Sequence, residues 1–310
     1  MIAPLPQPRV LIMGPTAIGK SQLLVELAIS LPFSSAILGA DSMQMYRAAP
    51  ILSGAPEADL RQRLPHYIIG ELAETESNSV QRYAELAHKT CQDLQRQNCL
   101  PLVVGGTGLY LQTLWQGLDP GPTPSAEQQQ LLASLSLEEL TAQLRQTAPE
   151  KAKNIDCANR RRVERALLHA WAGHEPQPPK PGDLRGVCVL ERDREDLTHR
   201  IHARVEAMIS AGAIDEVAAL QDQPLSTTFR QMLGFNLICQ HLQGELGLAE
   251  LRERWKQATR HYAKRQMTWI RGRFSQWPRI NLSKTPLKDV LAQLTALVIP
   301  DPYTVSMKGR

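Results

Sequence analysis

The sequence predicts an α/β fold, a P-loop core with a parallel sheet plus mainly helical insertion elements. Three observations point there. Short apolar runs recur, each ending in glycine or an acid. Helical patterns lie between them, and strands that alternate with helices build parallel sheets. The first run also leads into "MGPTAIGKS" (13–21), which has the Gly-x-x-x-x-Gly-Lys-Ser spacing of a phosphate-gripping loop.

Taken in order, "RVLIMG" (9–14) is a short unbroken apolar run and reads as a buried parallel strand. Lys20 to Ser30 reads as a helix with Leu23, Leu24 and Leu27 on one face. "SAILGADS" (35–42) is a second buried strand that ends in Asp41. Residues 79–97 form an amphipathic helix, "LPLVVGGTG" (100–108) a third strand and "GVCVLERD" (186–193) a fourth. Residues 125–147, 156–172, 194–222 and 247–272 are helical, with an interruption near Gly212. The Pro- and Gly-rich stretches 117–125 and 173–186 read as loops. No internal repeat is visible. The expected organisation is one catalytic unit over residues 1–298, with helical insertions at about 119–149 and 195–250 and a flexible tail at 299–310.

The 310 residues are 43% hydrophobic and 21% charged, the composition of an ordinary soluble globular protein. A net charge of +4 permits a polyanionic partner without requiring one. Cys91, Cys99, Cys157, Cys188 and Cys239 are odd in number and contain no C-x-x-C pair. They read as reduced thiols, not as a disulfide framework or zinc knuckle. The N-terminal apolar run is broken by Pro15 and lacks the basic start of a signal peptide. No stretch approaches the roughly 20 apolar residues of a membrane span. These features predict a cytoplasmic protein with no membrane partner, and nothing in them calls for more than a monomer. None of the eight histidines has a ligand-spaced partner, so all read as structural or surface groups.

The phosphate loop comprises Gly14, Pro15, Thr16, Ala17, Ile18, Gly19, Lys20 and Ser21. Its glycines let backbone N–H groups curl around phosphate oxygens, and the following helix points its positive end at them. Lys20 adds a full charge, and the Ser21 hydroxyl is suited to Mg²⁺. Such loops usually hold ATP or GTP. A P-loop kinase or ATPase also needs an acid at a strand end. The strand at 100–105 offers none; Gly105, Gly106 and Thr107 stand there. Asp41 is available on the neighbouring strand, where it suits a substrate as well as a metal.

Two further patterns concern charge. In "NRRRVERAL" (159–167), Arg161 and Arg165 share a helix face with Arg162 beside it, which reads as a nucleic-acid contact or a solvated surface. Between Arg252 and Arg273 there are eight Lys or Arg and one acid, Glu253. Arg252, Lys256, Arg260 and Lys264 make a basic stripe, expected to face phosphates. Trp255, Tyr262 and Trp269 recur every seven residues and read as core packing.

"GPTAIGKS", "ADSMQMYR", "LVVGGTGLY", "NRRRVERAL", "RVEAMISAGAIDEV", "QMLGF" and "ATRHYAKRQMTWIRG" occur in one order. Together they resemble the bacterial tRNA dimethylallyltransferases, over roughly residues 9–280. The resemblance implies transfer of a dimethylallyl group from dimethylallyl diphosphate to N6 of the adenosine 3′ to the anticodon, in tRNAs reading codons that begin with U. It implies Mg²⁺ as cofactor and the tRNA anticodon stem-loop as partner. By the same resemblance Asp41 is the general base, Thr107 lies near the substrates, and Gln231 or its neighbour Arg230 meets the diphosphate. The expected tRNA contacts are Asp41, Ser42, Met43, Gln44, Thr107, Gln129, Arg161, Arg162, Val163, Glu164 and Arg165. The chain departs from the family pattern at Ala55, Tyr67, Gly70 and Gln129, positions that bear on tRNA contact more than on chemistry. The remaining alternatives are a small-molecule kinase, a prenyltransferase of free adenine nucleotides, and a nucleic-acid-binding protein with a vestigial site.

Overall fold

The computed structural model describes residues 10–175 and 186–299. Among them six strands form one wholly parallel sheet: β1 (Val10–Met13), β2 (Ser35–Gly39), β3 (His66–Tyr67), β4 (Leu100–Gly105), β5 (Val187–Glu191) and β6 (Arg279–Asn281). Their spatial order is β3-β2-β4-β1-β5-β6. The four expected strands are its centre. β3 and β6 are two and three residues long, too short to show a period in sequence.

β1 is covered on both faces, which explains its unbroken apolar character. Successive side chains of a strand point to opposite sides. Leu11 and Met13 therefore join one core with Val103, Val187 and Val189. Val10 and Ile12 join another with Leu102, Val104 and Leu190.

The helices among the described residues are α1 (Lys20–Ser30), α2 (Pro50–Ser53), α3 (Ala58–Arg63), α4 (Val80–Arg96), α5 (Gly108–Gln116), α6 (Ala126–Ser134), α7 (Leu137–Thr147), α8 (Pro149–Asn154) and α9 (Arg160–Trp171), followed by α10 (Arg194–Ser210), α11 (Ala213–Ala218), α12 (Thr227–Arg230), α13 (Phe235–Leu242), α14 (Leu248–Arg273) and α15 (Leu287–Val298). Gly212 takes a φ of 96°, which separates α10 from α11 where the sequence placed an interruption. No helix of the described residues is long and apolar enough to cross a membrane.

The chain divides into two compact units. The smaller contains Gln116–Lys180, described as far as residue 175. Helices α6 to α9 pack there on Leu140, Leu144, Val163 and Leu167. Capping boxes Ser125/Gln128 and Ser136/Glu139 start α6 and α7. The larger unit holds the sheet and the remaining elements, including residues 195–250. The expected tail lies, from residue 300 on, outside the described residues, as does most of the expected loop at 173–186.

Most of the basic stripe of α14 has partners within the protein. Lys256 pairs with Glu206 of α10 at 2.8 Å, and Arg252 reaches the same carboxylate at 3.4 Å. Arg260 donates to Nε2 of His202, also on α10. Three of the four cations therefore tie α14 to α10. Lys264 is exposed.

Candidate active site

Each loop of the site leaves the carboxyl end of a strand, where open α/β sheets bind ligands. The phosphate loop follows β1. Ala17 and Gly19 both take left-handed backbone, with φ of 62° and 99°. Gly19 precedes α1 and offers no side-chain cap, and the first turn of α1 contains no acid. Its free N–H groups are thus left for an anion. Lys20 Nζ donates to the carbonyls of Gly14 and Pro15 at 2.9 and 2.8 Å, so the lysine is folded over its own loop. Burial pushes Lys20 down to about 8 against the opposing pull of Asp41, and Arg204 adds to the lowering. Ser21 faces the same cavity.

The loops after β2 and β4 are laced together. Ala40 donates to Val104 O at 2.7 Å, and Thr107 N donates to Ala40 O at 3.1 Å. The two backbones approach so closely that a Cβ on Gly105 would lie 2.0 Å from Ala40 O. Thr107 Oγ1 accepts from Ser42 N at 3.0 Å, which fixes the residue next to Asp41. Asp41 Oδ1 accepts from Met43 N at 3.0 Å, and its other oxygen has no protein partner among the described residues. Gln44 donates to Gly54 O at 3.0 Å.

Two distant helices complete the site. Arg200 and Arg204 lie four residues apart on α10. Arg200 Nε donates to Ala17 O at 3.0 Å, and Arg204 Nη2 to Gly54 O at 3.2 Å. Burial lowers the Arg204 guanidinium while Asp41 opposes. Just after β5, Arg192 Nε donates to Ile18 O at 2.9 Å. From α14 the buried Gln266 makes a staple. Its Oε1 accepts from Thr16 N at 2.9 Å, and its Nε2 donates to Gly106 O at 2.9 Å. It therefore joins the phosphate loop to the Thr107 loop.

These groups, Arg192 excepted, surround one cavity of about 830 Å³. Its polar lining includes Lys20, Ser21, Arg200, Arg204 and Asp41, and its apolar lining includes Leu52, Val205, Met208, Met232 and Leu233. Trp255, Tyr262 and Trp269 all line it; Trp255 is fully buried in the core, at 1% exposure, and the half-buried Trp269 packs against that core, as expected, while Tyr262 is half-buried at the cavity. A straight α-helix drifts about 20° per heptad, so residues seven apart do not share one environment over three repeats. The Trp269 ring lies against Gly108, where a Cβ would be 2.0 Å from it. Burial raises the Tyr262 phenol, and Asp41 adds to the effect. His66 lines the cavity as well, where the sequence reading made it structural or surface. Its Nδ1 meets Leu64 O at 2.8 Å, and burial lowers the imidazole.

The structure therefore brings Asp41, Ser42, Met43, Gln44, Thr107, Gln231 and residues 16–21 of the phosphate loop to one cavity. Gln231 lines it and Arg230 does not. The remaining candidates belong to the smaller unit. There Arg161 and Arg162 are exposed on α9 and make no ion pair among the described residues. Glu164 pairs with Arg160 at 2.7 Å, and Arg165 donates to the carbonyls of Asp119 and Pro120. The Val163 side chain is wholly buried in that unit's core against α7, so any tRNA contact at this position would fall to its backbone. Gln129 is exposed on α6 and donates to Pro124 O at 3.2 Å. Sequence reasoning gave no role to Arg192, Arg200, Arg204 or Gln266. The four-residue spacing of Arg200, Arg204 and Met208 is a visible signal, and Gln266 lies inside the motif "ATRHYAKRQMTWIRG", which marks the segment without showing what the amide meets.

Comparison with known proteins agrees with this architecture. The profile of the IPP transferase family matches residues 44–273. The tRNA dimethylallyltransferase of Maricaulis maris is 35% identical over 288 residues, covering 88% of this chain and 92% of that relative. That of Akkermansia muciniphila is 35% identical, covering 86% and 90%. Among solved structures, the tRNA isopentenylpyrophosphate transferase of Bacillus halodurans superposes with a TM-score of 0.70 at 28% identity, covering 93% of this chain and 94% of that one. A eukaryotic dimethylallyltransferase acting on tRNA reaches 0.78 at 25% identity, covering 96% and 79%. A profile match across most of the chain and relatives a third identical along nearly their whole length establish that the chain is an enzyme belonging to the IPP transferase family.

Proposed function

We propose that the protein transfers a dimethylallyl group from dimethylallyl diphosphate to N6 of the adenosine 3′-adjacent to the anticodon in tRNAs that read codons beginning with U, releasing diphosphate. The observation that carries the reading is the composition of the 830 Å³ cavity. A phosphate loop, two arginines, an aspartate and several apolar side chains line it together, and β4, which lies between β1 and β2, runs into glycines and Thr107, not an acid. That suits a leaving diphosphate with an apolar tail better than a phosphoryl transfer.

The chemistry follows from these groups. The N6 lone pair bonds to the allylic carbon as its C–O bond breaks, and the electron pair leaves with diphosphate. Charge grows on the departing oxygens, so fixed donors aimed at them lower the barrier. The phosphate-loop amides, Lys20 and Arg204 are suited to this. N6 must also lose a proton as its bond forms. Asp41, with one oxygen anchored by Met43 N and the other unpartnered, accepts it as general base. To reach a half-buried carboxylate the adenine must leave its stack, as base-modifying enzymes require.

Mg²⁺ is the metal that fits. The Ser21 hydroxyl faces the cavity, makes no protein hydrogen bond among the described residues, and is a hard oxygen donor. Ser21 would hold the ion together with the substrate's phosphates. When bound, the ion would neutralise charge on the leaving diphosphate.

The test is to incubate the protein with Mg²⁺, dimethylallyl diphosphate and unmodified tRNA, then digest the RNA and weigh its nucleosides. A five-carbon addition on adenosine at the expected position supports the proposal. ATP turnover without a prenyl adduct overturns it in favour of a kinase or ATPase.

A further inference from the structure

We propose that Glu216, outside the cavity, is a positioning residue that aims Arg204 at the donor's diphosphate. The proposal rests on the prenyl-transfer reading of the cavity. Helix α2 begins at Pro50 after Ala49, which has no side-chain oxygen to accept from the first-turn N–H groups. Such groups normally find a capping side chain one residue before the helix. Here the acceptor comes from α11, some 165 residues along the chain. Glu216 Oε1 accepts from Ile51 N at 2.9 Å and Oε2 from Leu52 N at 2.7 Å.

This cap matters because of what α2 delivers at its other end. Gly54 follows with φ of 61°, and its carbonyl accepts from Arg204 Nη2 at 3.2 Å and from Gln44 Nε2 at 3.0 Å. One carbonyl therefore orients a cation on the phosphate side and an amide next to the Asp41 segment. The fit is tight. A Cβ on Gly54 would lie 1.7 Å from Arg204 Nη2 and 2.9 Å from Met208 Cε. The only hydrogen bond of Arg204 to the protein among the described residues is to this carbonyl. A four-residue helix has too few internal bonds to hold its own position. The two charge-assisted bonds from Glu216 fix it instead. Glu216 touches neither substrate, and its influence runs through α2 and Gly54 to Arg204.

The test uses the full-length protein and inorganic diphosphate with Mg²⁺ as the probe. Its Kd is measured by calorimetry for the wild type, Glu216→Gln, Arg204→Ala and the double variant, alongside melting temperature. A carboxamide keeps one acceptor, so E216Q loses one of two bonds. The expected weakening is about tenfold, from one charge-assisted bond. In the R204A background E216Q should have no further effect, because the group it acts through is gone. A stability role alone would lower the melting temperature equally in both backgrounds and leave the Kd unmoved, which would overturn the proposal. A Kd loss of equal size with and without Arg204 would overturn it too. Should E216Q unfold, Glu216→Asp keeps the charge but draws the carboxylate back from Ile51 N and Leu52 N, and must show the same dependence on Arg204. Wild-type prenyl transfer is assayed separately. Diphosphate binding without transfer defeats the functional reading and leaves the Glu216 cycle to be judged on its own numbers; transfer without measurable diphosphate binding overturns the Glu216 proposal and leaves the functional reading standing.

Discussion

Replacing Gln266 with methionine tests whether the two loops of the site depend on their staple. Methionine keeps the length and volume of the side chain and removes both polar atoms. Two partners are then abandoned, Gly106 O and Thr16 N, each now bonded at 2.9 Å. Gly106 also lines the cavity but is more deeply buried than Thr16, so its carbonyl gains little water in exchange, at a cost of about 1–3 kcal/mol. Thr16 lines the cavity and is half-buried, so water can replace the lost acceptor and the cost falls to about 0.5–1.5 kcal/mol. The sum is about 3 kcal/mol, roughly a hundredfold in the folding equilibrium. Urea unfolding of wild type and Q266M, extrapolated to water, measures it. Turnover should fall by about 10²-fold as well, since displacement of reacting groups by about 1 Å has that effect. A loss below about 1 kcal/mol together with unchanged turnover would refute the staple.

The other predictions concern the charges. Asp41→Ala should reduce single-turnover prenyl transfer by about 10²–10⁴-fold while tRNA affinity changes little; an unchanged rate removes Asp41 from the mechanism. Lys20 loses its proton near pH 8 in the free protein, and a bound anion holds that proton in place. Diphosphate affinity from this group is therefore steady below pH 8 and falls above it, by up to about tenfold per unit. Lys20→Met should remove that component of the pH profile in calorimetry, and an identical profile would contradict the assignment. Replacing Arg161 and Arg162 with alanine should weaken tRNA binding and flatten the plot of log K against log salt by about 1.4, two single-strand contacts at about 0.7 each. An unaltered slope means that neither arginine meets a phosphate.

The parts of the fold legible in sequence are those set by neighbours along the chain. The phosphate loop was readable because Gly14 and Gly19 serve a backbone path that few residues allow. The four central strands were readable because a strand covered on both faces must be apolar throughout. Helix α4 was readable because Tyr83, Ala87, Cys91 and Leu94 recur at helical spacing. What stayed hidden depended on a facing element. The cations of α14 looked free until Glu206 and His202 on α10 took three of them. Val163 looked like part of an arginine patch until α7 covered it.

By itself, then, the sequence determined the alternation of strands and helices, the phosphate grip at residues 14–21, and the motifs that mark the family. Backbone preference and burial period are local and leave their mark locally. The completion of the site rests on how distant elements pack. Gln266 meets Thr16 across 250 residues of chain, Arg204 meets Gly54 across 150, and Glu216 meets Ile51 across 165. Contacts made by packing one element on another have no period and no fixed spacing, so the order of residues carries no sign of them.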